Sequence, residues 1–295
     1  MIELLLRLLC WLLAVCNLPV DLAESILLLG FTIWSRIILA RDCTPSVAFR
    51  IWHFVASGAA LLAYLFEPGL AAASFAAVWL LWVFWYVLKQ CRAFRFRSER
   101  YVERSVAAGF LVVSATWFVC ARYGFSPFNF PLGITLLTSI HFFFGGWLTP
   151  MLIDRFLFNL ERMKTPNEGR HLNATRNVGT FALRMSLAAF PMVAIGMLCE
   201  PNLELLGVIL LIAAVGVFLL LQLRWSLHQP AFITRSASVI ATACGFIAFS
   251  LAATYAVAEY RHAIAITIPQ MVATHGLLAS VGMIGGLLVA TRNPN

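Results

Sequence analysis

LLGVILLIAAVGVFLLLQL, residues Leu205–Leu223, is a run of 19 residues without a charge, and Gln222 is its one strongly polar side chain. At 1.5 Å per residue a helix of this length reaches about 28 Å, close to the ~30 Å hydrocarbon core of a bilayer. The run is apolar all round a 3.6-residue period, so no face is reserved for water. A strand is excluded as an alternative, because an open sheet edge leaves backbone groups unpaired in lipid. Leu205–Leu223 is therefore predicted to be a transmembrane helix.

Working outward, comparable runs recur at Ala23–Ala40, Ile51–Phe66, Ala71–Leu88, Ser105–Ala121, Gly133–Ile153, Val178–Leu198, Ser236–Ala258 and Thr267–Thr291. Residues Leu4–Val20 would make a tenth. The predicted fold is all-α, a polytopic transmembrane helix bundle of about nine or ten helices in one integral membrane domain, residues 1–295. Residues 1–22 read as an N-terminal helix that spans the membrane or lies at its interface. Arg7 and the apolar run through Val20 resemble a signal peptide, but no small-residue cleavage site follows, so the helix is expected to be retained. Composition agrees: 61% of residues are hydrophobic and 12% charged, against roughly 25% charged in soluble domains. The seven cysteines (Cys10, Cys16, Cys43, Cys91, Cys120, Cys199, Cys244) form no CxxC pair or His/Cys cluster, as expected of small apolar residues within helices.

The net charge of +8 is sorted by loop. Lys89, Arg92, Arg95, Arg97, Arg100 and Arg104 share one loop, and Arg155, Arg162, Lys164, Arg170 and Arg176 another. Arg41 with Arg50, and Arg224 with Arg235, mark two more on the same side. Alternate loops are nearly bare, contributing only Arg122 and Arg261. The positive-inside rule puts the basic loops and the C-terminus in the cytoplasm. Phe94, Phe96 and Tyr101 interleave the basic run Arg92–Arg104, yet topology already requires those charges, so contact with anionic lipid is expected rather than nucleic acid. The sequon at Asn173 falls on the same side and is not expected to be glycosylated.

Ionisable groups within a bilayer are costly and informative. Arg36 and Arg184 can snorkel to the inner surface. Glu24, Asp154 and Arg155 lie at helix ends, His53 reads as a cap near the inner boundary, and His171, His228 and His262 fall on loops. His141 and His275 have no such explanation. Each lies eight residues behind an outer boundary, roughly 12 Å deep, on helices running in the same direction. Thr138 and Ser139 precede His141, and Phe142, Phe143, Phe144, Gly145, Gly146, Trp147 and Pro150 follow it. Pro269, Gln270 and Thr274 precede His275, while Gly276, Gly282, Gly285 and Gly286 follow, a small-residue face for close helix approach. His141, His275, Gln270, Thr274 and Trp147 are the candidates for substrate binding or proton relay. The alternative is a structural role, each imidazole donating one bond to a neighbouring Ser, Thr or backbone carbonyl and tying helices together. Two histidines without a nearby carboxylate or thiolate make an incomplete metal set, so neither metal nor cofactor is expected.

The same segments carry a resemblance. His141 to Pro150, HFFFGGWLTP, is similar to the HFHYAGF-x-x-P signature of the YndJ-like bacterial membrane proteins, and Met271 to Gly282, MVATHGLLASVG, resembles that family's M-x-x-x-HG-x-x-NALG signature. Phe143 replaces the family's second His, and Ala279 its Asn. The resemblance implies a transporter-like, multi-pass protein of the bacterial cytoplasmic (inner) membrane, in which His141 and His275 carry over. The expected function is transport of a small or lipid-like substrate, with the lipid bilayer as the other partner and no nucleic acid; oligomeric state is left open. Alternatives are an intramembrane enzyme using the two histidines as acid and base, and a purely structural or assembly protein. No nucleotide-binding loop or haem CxxCH motif is present.

Overall fold

The structure, a computed structural model, describes residues 46–94, 100–162, 169–263 and 266–291. Among these there is no strand, and eight helical runs are long and apolar enough to cross a membrane: Val47–Leu65, Leu70–Arg92, Tyr101–Tyr123, Leu132–Glu161, Leu172–Cys199, Pro201–Leu227, Phe232–Tyr260 and Ile268–Ala290. They match eight of the nine expected segments. Ala23–Ala40 and Leu4–Val20 lie outside the described residues. The helices outrun their apolar cores, as where Gly169–Cys199 begins nine residues before Val178, because polar ends can continue a helix into the interface.

The elements are α1 Val47–Leu65, α2 Leu70–Phe94, α3 Tyr101–Tyr123, α4 Leu132–His141, α5 Thr149–Arg162, α6 Gly169–Cys199, α7 Pro201–Leu227, α8 Phe232–Tyr260, α9 Ile268–Met271 and α10 Gly285–Ala290. Phe142–Leu148 joins α4 to α5 as a π-helix, and Val272–Gly276 and Leu278–Ile284 form π-helical stretches between α9 and α10. The chain divides into two compact units, and the division falls between Leu152 and Ile153, inside α5.

In the first unit, α1 packs on α2, α2 on α3, and α3 on α4 and the π-helical segment that follows. The buried stripe of α1 is Phe49, His53, Ala56, Ala60 and Ala63, and α2 answers with Ala72, Ala73 and Ala76. Small residues let the backbones approach, which is how helices associate where lipid competes for apolar contact. The outward faces are as apolar as the core: Phe54 and Leu81 are each 68% exposed. Such a surface belongs against acyl chains.

Asp154, expected at a helix end, lies buried inside α5, and His53 and Arg122 also differ from their expected places. His53 is buried at 4% exposure rather than capping the inner end. Its ring meets Trp82 edge-on at 4.7 Å, and its Nδ1 lies 3.4 Å from Ser57 Oγ. Arg122, expected on an outer loop, is buried in the last turn of α3. Its Nε donates to Ala63 O at 3.0 Å and its Nη2 to Phe66 O, and its guanidinium lies 5.6 Å from the Tyr64 ring centre. The carbonyls ending α1 lack helical partners, and Arg122 supplies them. The backbone N–H of Gly69 in turn donates to Arg122 O at 2.8 Å, closing the short α1–α2 turn.

In the second unit, α6 packs along α7, α7 on α8, and α8 against the C-terminal π-helical stretch and α10. Only Glu200 separates α6 from α7. Glu200 caps α7, its carboxylate accepting from the N–H of Asn202 at 3.3 Å, and Pro201 occupies the first helical position, where a missing N–H costs nothing. The C-terminal helix fits α8 through glycines: a Cβ on Gly282 would sit 2.6 Å from Cys244 Sγ, and one on Gly286 2.9 Å from Ala237 O. The expected small-residue face is therefore in use as a seam between helices.

Candidate functional site

The segment containing His141 begins as an ordinary helix with side chains bonding back to it. The Thr138 hydroxyl donates to Ile134 O at 2.8 Å, and His141 Nδ1 lies 2.8 Å from Leu137 O. A carbonyl only accepts, so Nδ1 carries the proton, and a neutral ring then presents its lone pair at Nε2. The His141 side chain is exposed.

Immediately beyond His141 the backbone widens. Pro150 has no N–H, and its ring conflicts with the carbonyl four residues back, that of Gly146. The wide turn of Phe142–Leu148 relieves that conflict: both the N–H and the hydroxyl of Thr149 reach back five residues to Phe144 O, the hydroxyl at 2.9 Å. Glycine at 146 lets α3 close in, since a Cβ there would sit 2.9 Å from Phe110 Cβ. Phe142, Phe143, Phe144 and Trp147 are all buried. Trp147 packs 5.2 Å from Phe143 and edge-on to Tyr86 at 6.4 Å. These aromatics are packed core.

The segment containing His275 starts from a capping box. The carboxamide oxygen of Gln270 accepts from Thr267 N–H at 2.9 Å and from the Thr267 hydroxyl at 3.0 Å. Gln270 is thus engaged at the helix start. Thr274 is buried, its hydroxyl donating to Gln270 O at 2.6 Å. His275 is half-buried, its Nδ1 2.8 Å from Ala248 O on α8, with the Phe249 ring edge-on at 6.3 Å. This bond joins two helices through Nδ1, while Nε2 again presents the lone pair of the neutral ring.

The five candidates thus occupy different settings. His141 and Trp147 belong to the first unit, and Gln270, Thr274 and His275 to the second. Sequence reading noted Ser139 only as a neighbour, yet it is buried, its carbonyl accepts from the Ser114 hydroxyl at 2.8 Å, and its own hydroxyl has no hydrogen-bond partner among the described residues. Small hydroxyls one turn before His141 were the available signal; the pairing with Ser114 across 25 residues was not. Among the described residues, no three His, Cys, Asp or Glu side chains stand together as a metal-binding group.

Eight apolar spans, two of them widened beside a histidine, define a polytopic helical membrane protein. The chain belongs to the YndJ-like family: the family model described as "YndJ-like protein" matches residues 29–283. It is also similar to the "Uncharacterized membrane protein YndJ" of Bacillus subtilis (strain 168), 25% identical over 256 residues, a stretch covering 85% of this chain and 42% of the relative. The chain thus spans less than half the length of that curated relative. No solved structure matches it.

Proposed function

We propose that the chain is a permease-like transporter of a small or lipid-like solute, with His141 and His275 as its polar stations. The observation that carries the reading is the coincidence of irregular backbone with histidine. Among the described residues, π-helical stretches occur only at Phe142–Leu148, Val272–Gly276 and Leu278–Ile284. The first adjoins His141, the second contains His275, and the third begins three residues beyond it. Widened turns cluster at functional positions, and interrupted helices are a recurrent device for substrate sites in transporters. In both segments a backbone carbonyl holds Nδ1–H, which orients the ring and assigns chemistry to Nε2.

The test uses the full chain expressed in a bacterium deleted for its own YndJ-like protein, with small molecules profiled inside and outside the cells. His141→Asn and His275→Asn are the informative variants: the asparagine amide keeps a donor near Nδ1 and removes Nε2. Wild type should redistribute a set of compounds without creating new ones, and either variant should accumulate normally while losing about ten-fold in effect, the equivalent of about 1.4 kcal/mol. No redistribution by wild type sinks the proposal. A new compound would replace transport with intramembrane catalysis, and variants with undiminished effect would leave the histidines as helix glue.

The same reading places the basic helix ends and the C-terminus in the cytoplasm. A C-terminal green fluorescent protein fusion is expected to fluoresce and an alkaline phosphatase fusion to be inactive; the reverse pair would invert the topology.

A further inference from the structure

At the basic end of the first unit, three helical segments leave a small cleft between them. Tyr86, Gln90 and Cys91 enter from α2, Arg104, Ser105 and Ala108 from α3, and Trp147 and Met151 from the α4–α5 run. The cavity is about 10 Å3, room for one water-sized group. Its walls divide by chemistry. The guanidinium of Arg104, the amide of Gln90 and the hydroxyls of Ser105 and Tyr86 form its polar side, while the Trp147 ring, Met151 and Ala108 make an apolar side. Tyr86 and Trp147 are almost fully buried, Gln90 is buried, and Arg104 and Ser105 are half-buried. None of the described residues lining it is acidic.

The surroundings indicate the depth. Lys89 lies 5.1 Å from the Phe49 ring centre and 5.4 Å from that of Trp85, a cation held against aromatics in the manner of a membrane interface. Arg92 and Arg100 belong to the same end of α2 and α3, whereas the opposite end carries only Arg122, which is committed to the α1 carbonyls. A basic recess between transmembrane helices at headgroup level suits an anionic headgroup.

We propose that this cleft binds the phosphate of an anionic phospholipid. The phosphodiester lies at the mouth against Arg104 and places one oxygen in the recess, where Gln90 and Ser105 donate to it. The acyl chains continue along the apolar outer faces of α2 and α3. A free phosphate would gain nothing from those exposed apolar faces, such as Leu81 and Val102, which is why a lipid fits better.

The experiment reconstitutes the whole protein in nanodiscs of phosphatidylcholine, with and without phosphatidylglycerol, and reads thermal midpoint alongside lipid retained in native mass spectrometry. Phosphatidylglycerol should raise the midpoint and be retained; Arg104→Gln should cut its retention about five-fold and shrink the midpoint difference between the two lipids. Gln90→Leu serves as a second variant should Arg104→Gln fold poorly, with the same loss expected. Equal behaviour in both lipids overturns the proposal. So does an equal loss from Arg235→Gln, a basic residue remote in sequence, which would mean diffuse charge attraction. A shift reproduced by millimolar inorganic phosphate in phosphatidylcholine discs would reassign the cleft to a soluble anion.

Discussion

Arg122→Met is expected to remove most of the correctly folded protein, with an expected destabilisation of about 3 kcal/mol. The substitution keeps the length and apolar stem of the side chain but strands the carbonyls of Ala63 and Phe66. A hydrogen bond from a charged donor contributes about 1.5–3 kcal/mol, and a buried acceptor left unpaired costs about 1–3. Arg122→Lys should fall between, because a single ammonium does not reproduce the planar fork that spans two carbonyls. Monodispersity and melting temperature in a mild detergent measure the effect. Arg261→Met, at an exposed turn, is the matched control and should change neither. If Arg122→Met behaves like that control, the cap is dispensable.

Gly196→Ala is expected to be nearly as damaging despite adding one methyl. A Cβ at Gly196 would lie 2.2 Å from the backbone nitrogen of Glu204 and 2.4 Å from its Cα. Those atoms belong to the first turn of α7 and have no flexible end to swing aside. The one-residue reversal at Glu200 forces this approach, with Glu200 N–H bonded to Gly196 O at 2.9 Å. Relief requires the two backbones to part, disturbing the packing of α6 on α7 near their shared end. Overpacking costs typically about 1–3 kcal/mol, more than the ~1 kcal/mol that alanine returns in helix propensity. Gly58→Ala is the control: nothing lies within 4 Å of its Cβ position, so it should be neutral or slightly stabilising. Similar melting temperatures for both variants would mean that α6 and α7 tolerate a wider separation.

The histidines divide the legible from the illegible. That His141 and His275 lie within apolar spans could be read from their distance to the nearest loops, because depth in a bilayer follows from counting residues at a fixed rise. What each ring does could not. His141 turns back to its own helix at Leu137, whereas His275 reaches α8 at Ala248, 27 residues away in the chain. Gln270, a site candidate by position, also completes a capping box that an N-terminal Thr with a Gln three residues later already encodes.

By itself the sequence determined that the chain is a membrane-embedded helix bundle, and where its eight described spans run. Both follow from local quantities: the length of each apolar run against bilayer thickness, and the absence of water to satisfy any other backbone. Tertiary structure decided the rest. It withdrew Arg122 from a loop into the end of α1, buried His53 against Trp82, and packed Phe142, Phe143, Phe144 and Trp147 into the core. It also widened two helices beside their histidines. These outcomes depend on which helix faces which, and apolar helices that are hydrophobic all round carry little signal of their partners. Close approach and unmet carbonyls select the contacts, and both exist only once the helices are side by side.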